Sequence, residues 1–339
     1  MSTRRSKRKG SFSSSKRKVS KPTRGASVAE HSDDEEEVES FRRIIGERKK
    51  GKQLQVEWMD GGTSWVDRCH LEGQDALQDW DDREEEGEEI RMEPELLACK
   101  IREVAQWLIT CKTKRIVWHI GAGMSAADGC PTFRGKAGLW TAGRADISDF
   151  DVAKVVPGFV YQAFAALEKA GYVYWCVTQN YDGLLRKAGF PADKLSEVHG
   201  NIFIERCEKC GEEFYREYSV EDPNSDDHRT GRICDKEECD GHLIDVIVHF
   251  GESLRGVAMA NAKSKGAEIS IAVGTKLQVS PACDWVFRPH GKRFGKGKVA
   301  IVNLQETSSD EQADLVIHHE AGEFFRGLCK ELNVTVEEP

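Results

Sequence analysis

Apolar positions follow two different rhythms along this chain. Early on, Leu54-Gln55-Val56-Glu57-Trp58 alternates apolar and polar, the period of a strand with one covered face. Phe41-Arg42-Arg43-Ile44-Ile45-Gly46 reads as a strand before it, Asp60-Gly61-Gly62 as a turn, and Ser64-Trp65-Val66 as the start of a third strand. A short helix is expected over Gln74 to Trp80. After Glu93 the rhythm changes. Leu96-Leu97, Ile101, Val104 and Leu108 recur at helical spacing. Short runs rich in β-branched residues follow: Ile116 to Ile120, Val173 to Val177, Ile269 to Val273, Val299 to Leu304 and Leu315 to Ile317. Most are separated by long crossovers and end at Gly, Asn or Asp. Short apolar strands spaced by helices predict a parallel sheet covered on both faces, an α/β doubly wound domain. Ligands bind such a sheet at the carboxyl ends of its strands.

The two rhythms divide the chain. Residues 1–37 are Ser, Lys, Arg and then acid, with too few apolar groups to offset the entropy of ordering, and are expected to be disordered. Residues 38–82 form a small β-strand/helix module, 83–92 an acidic linker, and 93–335 the large domain. The net charge of −9 hides an uneven layout, because the first 25 residues contain no acid while Asp33–Glu37 and Asp81–Glu89 are acidic runs. Arg4-Arg5-Ser6-Lys7-Arg8-Lys9 and Lys16-Arg17-Lys18 look like nuclear-import signals. The same basic arm offers a contact to DNA or chromatin. No apolar run approaches the roughly 20 residues of a membrane helix, and no apolar segment of a secretory signal follows the basic start. The expectation is a soluble, intracellular, nuclear protein with no membrane partner. Its eleven cysteines then point to thiols or metal ligands.

The chemistry-bearing segments sit where a doubly wound sheet would put them. Ile116–Ile120 runs into Gly121-Ala122-Gly123-Met124-Ser125-Ala126, a glycine turn that lets the backbone approach a pyrophosphate. No Gly-Lys-Ser/Thr follows, which excludes a Walker-type loop. Gly129-Cys130-Pro131-Thr132-Phe133-Arg134-Gly135 and Gly138-Leu139-Trp140 predict a flexible loop beside that turn. Thr178-Gln179-Asn180-Tyr181-Asp182-Gly183 places amides and a carboxylate at a strand end, either as a binding cluster or as a helix cap. His199, within Glu197-Val198-His199-Gly200-Asn201, is a residue type suited to removing a proton near neutrality. Cys207-x2-Cys210 and, 23 residues later, Cys234-x4-Cys239 match a closed four-thiolate zinc site that holds a fold and has no open position for water. A redox dithiol is the other use of such pairs.

Taken together, these motifs resemble the sirtuin family across Glu93 to Leu328. They are joined by Val248-His249-Phe250-Gly251-Glu252, Gly274-Thr275 and Ile301-Val302-Asn303-Leu304-Gln305. The Leu243–Glu252 stretch and the His199-Gly200-Asn201-Ile202 context look most like the nuclear group, sirtuins six and seven. The resemblance implies a Rossmann-like domain, a small zinc-binding insert at about 200–250, and NAD consumed as co-substrate in removing acyl groups from protein lysines. The products would be nicotinamide, O-acyl-ADP-ribose and free lysine, and histone or chromatin-associated protein is the expected substrate. Carried over residue by residue, His199 would be the general base, and Asn180 and Asp182 would also be catalytic, binding ribose and nicotinamide together with Trp140 and Gln179. Gly121, Ala122, Gly123, Ser125, Ala126, Thr132, Phe133, Arg134, Trp140, Gln179, Gly274, Thr275, Lys276, Asn303, Leu304, Gln305 and Ala321 would bind NAD. Val248, Phe250 and Gly251 would line the acyl-lysine tunnel, with Cys207, Cys210, Cys234 and Cys239 on one structural zinc ion.

Several positions depart from that pattern. Thr132 stands where Asp is usual, Lys276 where Ser is common, Tyr181 where a smaller residue is usual, and Leu185 where many members have His. These bear on rate and acyl preference. Two other functions fit the same motifs: mono-ADP-ribosylation of a protein acceptor, and a chromatin-bound NAD sensor with little turnover. The 38–82 module in turn resembles a chromodomain, through Ile44-Ile45-Gly46-Glu47-Arg48, Val56-Glu57-Trp58 and Trp65. That family cages methyl-lysine between three aromatics by cation–π attraction. Trp58 fits one wall, but Glu39 or its polar neighbours hold the N-terminal aromatic's place and Met59–Thr63 offers no third. The module is therefore expected to bind a peptide or partner without a cage, with Trp65 in its core.

Overall fold

The computed structural model describes residues 41–48, 52–58, 62–67, 89–128, 130, 154–221, 227–249, 251–290 and 297–337. The N-terminal strands belong to a unit of their own, separate from the body that begins at residue 87. In that first unit, β1 (Phe41–Arg48), β2 (Gln53–Trp58) and β3 (Thr63–Asp67) form an antiparallel meander with β2 in the centre. Leu54 pairs with Val66, and Leu54, Val56 and Val66 are buried, as period-2 alternation requires. Trp65 corrects its expectation. It pairs with Gln55, on the face opposite Leu54 and Val56, and is only half-buried. A residue one position from a buried Val must face the other way. The helix expected over Gln74–Trp80 and the position of Glu39 fall outside the described residues.

The second unit is built on six parallel strands: β4 (Ile116–Ile120), β5 (Trp175–Thr178), β6 (Leu195–Glu197), β11 (Ile269–Val273), β12 (Lys298–Val302) and β13 (Leu315–Ile317). Their order is β13-β12-β11-β4-β5-β6. The sequence-first strand β4 thus sits beside β11, and the connections run outward in opposite directions from that pair. This is a doubly wound sheet with its switch point between β4 and β11. Every residue of β4 and β11 is buried. On one face Ile116, Trp118 and Ile120 join a core with α1 (Pro94–Thr110), α3 (Phe159–Lys169) and α7 (Ala321–Leu332). Trp118 meets Phe164 edge-on at 5.4 Å and Phe325 stacked at 6.0 Å, and its indole N–H donates to the Tyr172 carbonyl. On the other face Val117, Val177, Val299 and Ile301 pack in cores that include Ala260 of α5 (Val257–Lys265) and Trp285 and Val286 of α6 (Ala282–Val286).

A four-stranded antiparallel module interrupts the α/β order between β6 and α5. It comprises β7 (Ile204–Cys207), β8 (Glu213–Tyr215), β9 (Arg229–Ile233) and β10 (His242–Asp245), ordered β8-β7-β10-β9. Its apolar cluster is small, Cys207, Cys234 and Leu243 with Phe214 and Cys239 against them. A buried ion cluster adds to it. Glu205 is fully buried and accepts from Arg216 Nε at 2.6 Å, Arg232 Nε at 2.7 Å and Thr230 Oγ1 at 2.8 Å. Among the described residues no helix is long and apolar enough to cross a membrane.

Candidate functional site

The loops after β4, β5, β11 and β12 converge at the carboxyl edge of the sheet, centred on the switch point. Gly121 N donates to the Val273 carbonyl at 3.0 Å and Gly123 N to the Gly274 carbonyl at 2.9 Å. A Cβ on Gly121 would lie 2.5 Å from Gly274 O, and one on Gly123 2.6 Å from Gly274 Cα. Gly274 has φ +64°, in the left-handed region that favours glycine. The three glycines therefore let two loops touch backbone to backbone. That close fit, more than room for a phosphate alone, is why the turn after β4 needs glycine.

Beneath this cradle lies a buried polar network. Asn180 is 5% exposed, and its Nδ2 donates among Gly121 O (3.1 Å), Ser125 Oγ (3.0 Å) and Tyr161 Oη (3.1 Å). Ser125, on the short helix α2 (Gly123–Ala127), donates to Asp182 Oδ2 at 2.6 Å, and Tyr161 Oη donates to the same oxygen at 3.3 Å. Asp182 Oδ1 accepts from Leu184 N at 3.0 Å, at the start of α4 (Leu184–Lys187). The one carboxylate thus both joins the buried polar network and satisfies a first-turn N–H of α4. Burial raises the Asp182 pKa, while the bonds from Ser125, Leu184 and Tyr161 pull it back. Burial, with the Asp182 charge added, pushes the Tyr161 phenol well above its ordinary value, so it stays a neutral donor.

His199 follows β6, whose end sets it against two neighbours. Its Nδ1 lies 2.7 Å from the Gln179 carbonyl, and its own carbonyl accepts from Val248 N at 3.0 Å. A carbonyl only accepts, so Nδ1 carries the proton and Nε2 is the basic nitrogen. Burial lowers the His199 pKa and the Gln179 carbonyl partly opposes it, leaving a neutral ring at neutral pH. Gly200, at φ +88°, is obligatory here because a Cβ would come 2.0 Å from Val246 O. Behind the loop, Glu197 bridges Arg186 (2.6 Å) and Asn201 Nδ2 (2.6 Å). Gln179 Nε2 donates to Thr275 Oγ1 at 3.2 Å, linking this corner to the glycine cradle.

The loop after β12 carries three more of the expected residues. Asn303 begins the loop after β12 and donates from Nδ2 to the Gln305 carbonyl at 2.9 Å, Leu304 O accepts from Ile90 N, and buried Ala321 opens α7. Ala122 is half-buried and Ala126 exposed, and Lys276 is half-buried next to buried Thr275. Val248 is half-buried and Gly251, with φ +86°, is exposed. Thr132, Phe133, Arg134, Trp140 and Phe250 lie outside the described residues. Of the positions that depart from the family pattern, Tyr181 packs on Ile202, Phe203 and Ile247, and Leu185 is core. Sequence reasoning missed Tyr161 and Asp128. Tyr161 sits at a core position of α3 and reads as one more apolar ring. Asp128 accepts from Val160 N (3.0 Å) and Tyr161 N (3.3 Å), anchoring α3 from a distant loop. No local pattern announces such a long-range cap.

The four cysteines gather at one end of the antiparallel module, with all sulfurs within 4.8 Å of one another. Cys207 and Cys239 are 3.6 Å apart and Cys210 and Cys234 3.7 Å. A tetrahedron with zinc–sulfur bonds of about 2.3 Å has edges of about 3.8 Å, whereas a disulfide needs about 2.05 Å. The donor set fits zinc. The Cys210 backbone N–H donates to the Cys207 sulfur at 3.5 Å, a contact that favours the thiolate a metal needs. The Gly241 backbone lies so close that a Cβ would come 2.5 Å from the Cys207 sulfur.

A Sir2 family model matches residues 145–281. The chain is 36% identical to the NAD-dependent protein deacetylase SRT1 of Arabidopsis thaliana, over 71% of this chain and 51% of the relative. It is 34% identical to the NAD-dependent protein deacetylase Sirt6 of Drosophila melanogaster, over 72% of this chain and 78% of the relative. Against the NAD-dependent protein deacetylase sir-2.4 of Caenorhabditis elegans the identity is 33%, over 77% and 92%. The chain thus spans about half the length of the plant relative. A solved Sir2 with a p53 peptide and NAD+ superposes with a TM-score of 0.55 at 28% identity, covering 70% of this chain and all of that one.

Proposed function

This chain belongs to the Sir2 (sirtuin) family, and from that premise we propose that it removes acyl groups from lysines of other proteins at the expense of NAD. The observation that carries this function is His199, neutral, with Nδ1 tied to the Gln179 carbonyl and Nε2 left to accept a proton. NAD, as consumed co-substrate, supplies the ribose carbon that the acyl oxygen attacks as nicotinamide leaves, and finally carries the acyl group away as O-acyl-ADP-ribose. The protein's part is placement and proton transfer. Gly121, Ala122, Gly123, Ser125, Ala126, Gly274, Thr275 and Lys276 would hold the co-substrate at the switch point, with Asn303, Leu304, Gln305 and Ala321 toward its adenosine end. Gln179 and the loop residues Thr132, Phe133, Arg134 and Trp140 would hold the nicotinamide ribose. Asn180 and Asp182 would fix Ser125 and the turn after β4 through the network they already make. His199 Nε2 would take the ribose hydroxyl proton, making that oxygen the nucleophile toward the acyl carbon. Val248, Phe250 and Gly251 would line the acyl-lysine channel, the peptide adding as a strand. The cysteine-bound zinc would hold the antiparallel module together and take no part in the reaction.

We extend the proposal to location and substrate. The two basic clusters before Gly25 favour the nucleus and a chromatin-associated substrate such as histone. The 38–82 segment would serve as a partner- or peptide-binding module. The test is mass spectrometry of the protein and of His199→Ala with NAD and a panel of acyl-histone peptides. Acyl loss matched by nicotinamide and O-acyl-ADP-ribose, at least about 100-fold slower in the variant, is the expected result. Equal release by His199→Ala would overturn the role of this residue. ADP-ribose on protein without acyl loss would replace the activity with ADP-ribosylation.

A further inference from the structure

The β9–β10 pair has two ends. One carries Cys234 and Cys239, and at the other a second group of ligating side chains converges. His228 Nδ1 lies 2.9 Å from Asp245 Oδ1, and Nε2 lies 3.0 Å from Glu252 Oε1. The His249 ring stacks on His228 at 4.3 Å between centroids. Glu252 Oε2 accepts from His249 N at 2.8 Å, so the acid and the second imidazole are already tied into one turn. One ligand atom from each of His228, His249 and Glu252 lies within 4.8 Å of the others. The backbone of His228 is held at φ +62°, with its carbonyl bonded to Asp245 N at 2.8 Å.

We propose that His228, His249 and Glu252 form a second metal site, for a divalent ion of the zinc and cobalt class, separate from the four cysteines. Asp245 is what distinguishes this group from a chance surface cluster. It is 6% exposed, accepts the Ile247 N–H, and holds His228 Nδ1. A carboxylate on one ring nitrogen fixes the tautomer and aims the other nitrogen, the support that metal-binding histidines ordinarily have. The ion would take the place of the proton now shared between His228 Nε2 and Glu252. With metal–ligand bonds of about 2.0–2.2 Å, tetrahedral neighbours lie about 3.3 Å apart, so the 3.0 Å His228–Glu252 pair needs little adjustment. His249 and Glu252 are exposed and can rotate inward, while His228 and Asp245 form the fixed side. Two imidazoles and one carboxylate suit borderline ions over calcium or magnesium, which want an all-oxygen shell. Occupancy would tie β9 to the Val248–Glu252 segment. Under the function proposed above that segment is the acyl-lysine wall, and this consequence alone depends on that function.

Cobalt(II) is the probe, titrated into the full chain already carrying one zinc ion on its cysteines and followed by visible absorption and calorimetry. The expected result is one saturable cobalt per chain with d–d bands and no thiolate charge-transfer band. His249→Ala and Glu252→Gln, both surface changes, should each weaken it at least about tenfold while cysteine-bound zinc stays at one per chain. Absence of saturable binding, unchanged affinity in both variants, or a thiolate charge-transfer band would each overturn the proposal. The titration uses neither NAD nor acyl peptide, so its failure is distinguishable from failure of the deacylase activity.

Discussion

His119 is the residue whose replacement makes the sharpest physical prediction. It lies in the central strand β4, in register with Ala272 of β11 and Val177 of β5, and is 2% exposed. Its Nε2 has no hydrogen-bond partner among the described residues. Burial pushes its pKa from the ordinary 6.5 to about 3. The folded protein therefore refuses a proton that the unfolded chain accepts below its ordinary pKa. Stability is unaffected well above that value and is lost as pH falls from it toward the folded value. From these two pKa values the loss is below about 0.1 kcal/mol at about pH 7.5 and about 1.4 kcal/mol at about pH 5.5. His119→Met removes the titrating group and keeps an adaptable apolar side chain in the strand. Its packing change, and the relief of an unpaired polar nitrogen worth about 1–3 kcal/mol, do not depend on pH. Urea unfolding of both proteins at the two pH values isolates the proton. The advantage of His119→Met should grow by about 1.4 kcal/mol on acidification. Acid effects on the cysteine module are common to both proteins and cancel. A difference that stays constant within about 0.3 kcal/mol would refute the assignment of a buried neutral imidazole at this position.

Two further outcomes follow from the geometry. Gly274→Ala puts a Cβ 2.7 Å from Gly123 Cα and Met124 N in a left-handed backbone, at a cost of at least about 1–2 kcal/mol before any clash. Under the proposed function, NAD affinity measured by calorimetry should fall more than about tenfold, and unchanged affinity would refute the proposal that the glycine cradle holds NAD. Cys239→Ser takes one thiolate from the tetrahedron, and metal analysis should find less than one zinc per chain, with proteolysis beginning within 204–245 while the parallel sheet persists. Cleavage starting in the sheet domain instead would contradict a purely local role for zinc.

Local sequence determined a good deal of this protein. The strands of the parallel sheet are short apolar runs because both faces are covered, so β4 and β11 lie at the very residues their composition marks. The cysteine spacing determined the metal site, since two short knuckles can bring four sulfurs to one ion wherever the module sits. Tertiary structure decided the rest. Strand β6, Leu195-Ser196-Glu197, has no apolar run and exists because β5 offers it a paired edge. Tyr161 belongs to the polar hub only because α3 passes beneath Ser125 and Asn180, and at its own place in sequence it is another core aromatic. Trp65 faces away from the N-terminal sheet's buried side because register, not hydrophobicity, sets which way a strand residue points. Glu205, the antiparallel module's buried acid, is tolerated only where Arg216, Thr230 and Arg232, all from outside its own strand, close around it. Hydrophobic period and ligand spacing are local quantities that a sequence records directly. Which polar groups meet is a property of contacts between distant segments, and these are fixed only when the sheet order and the packing of its helices are fixed.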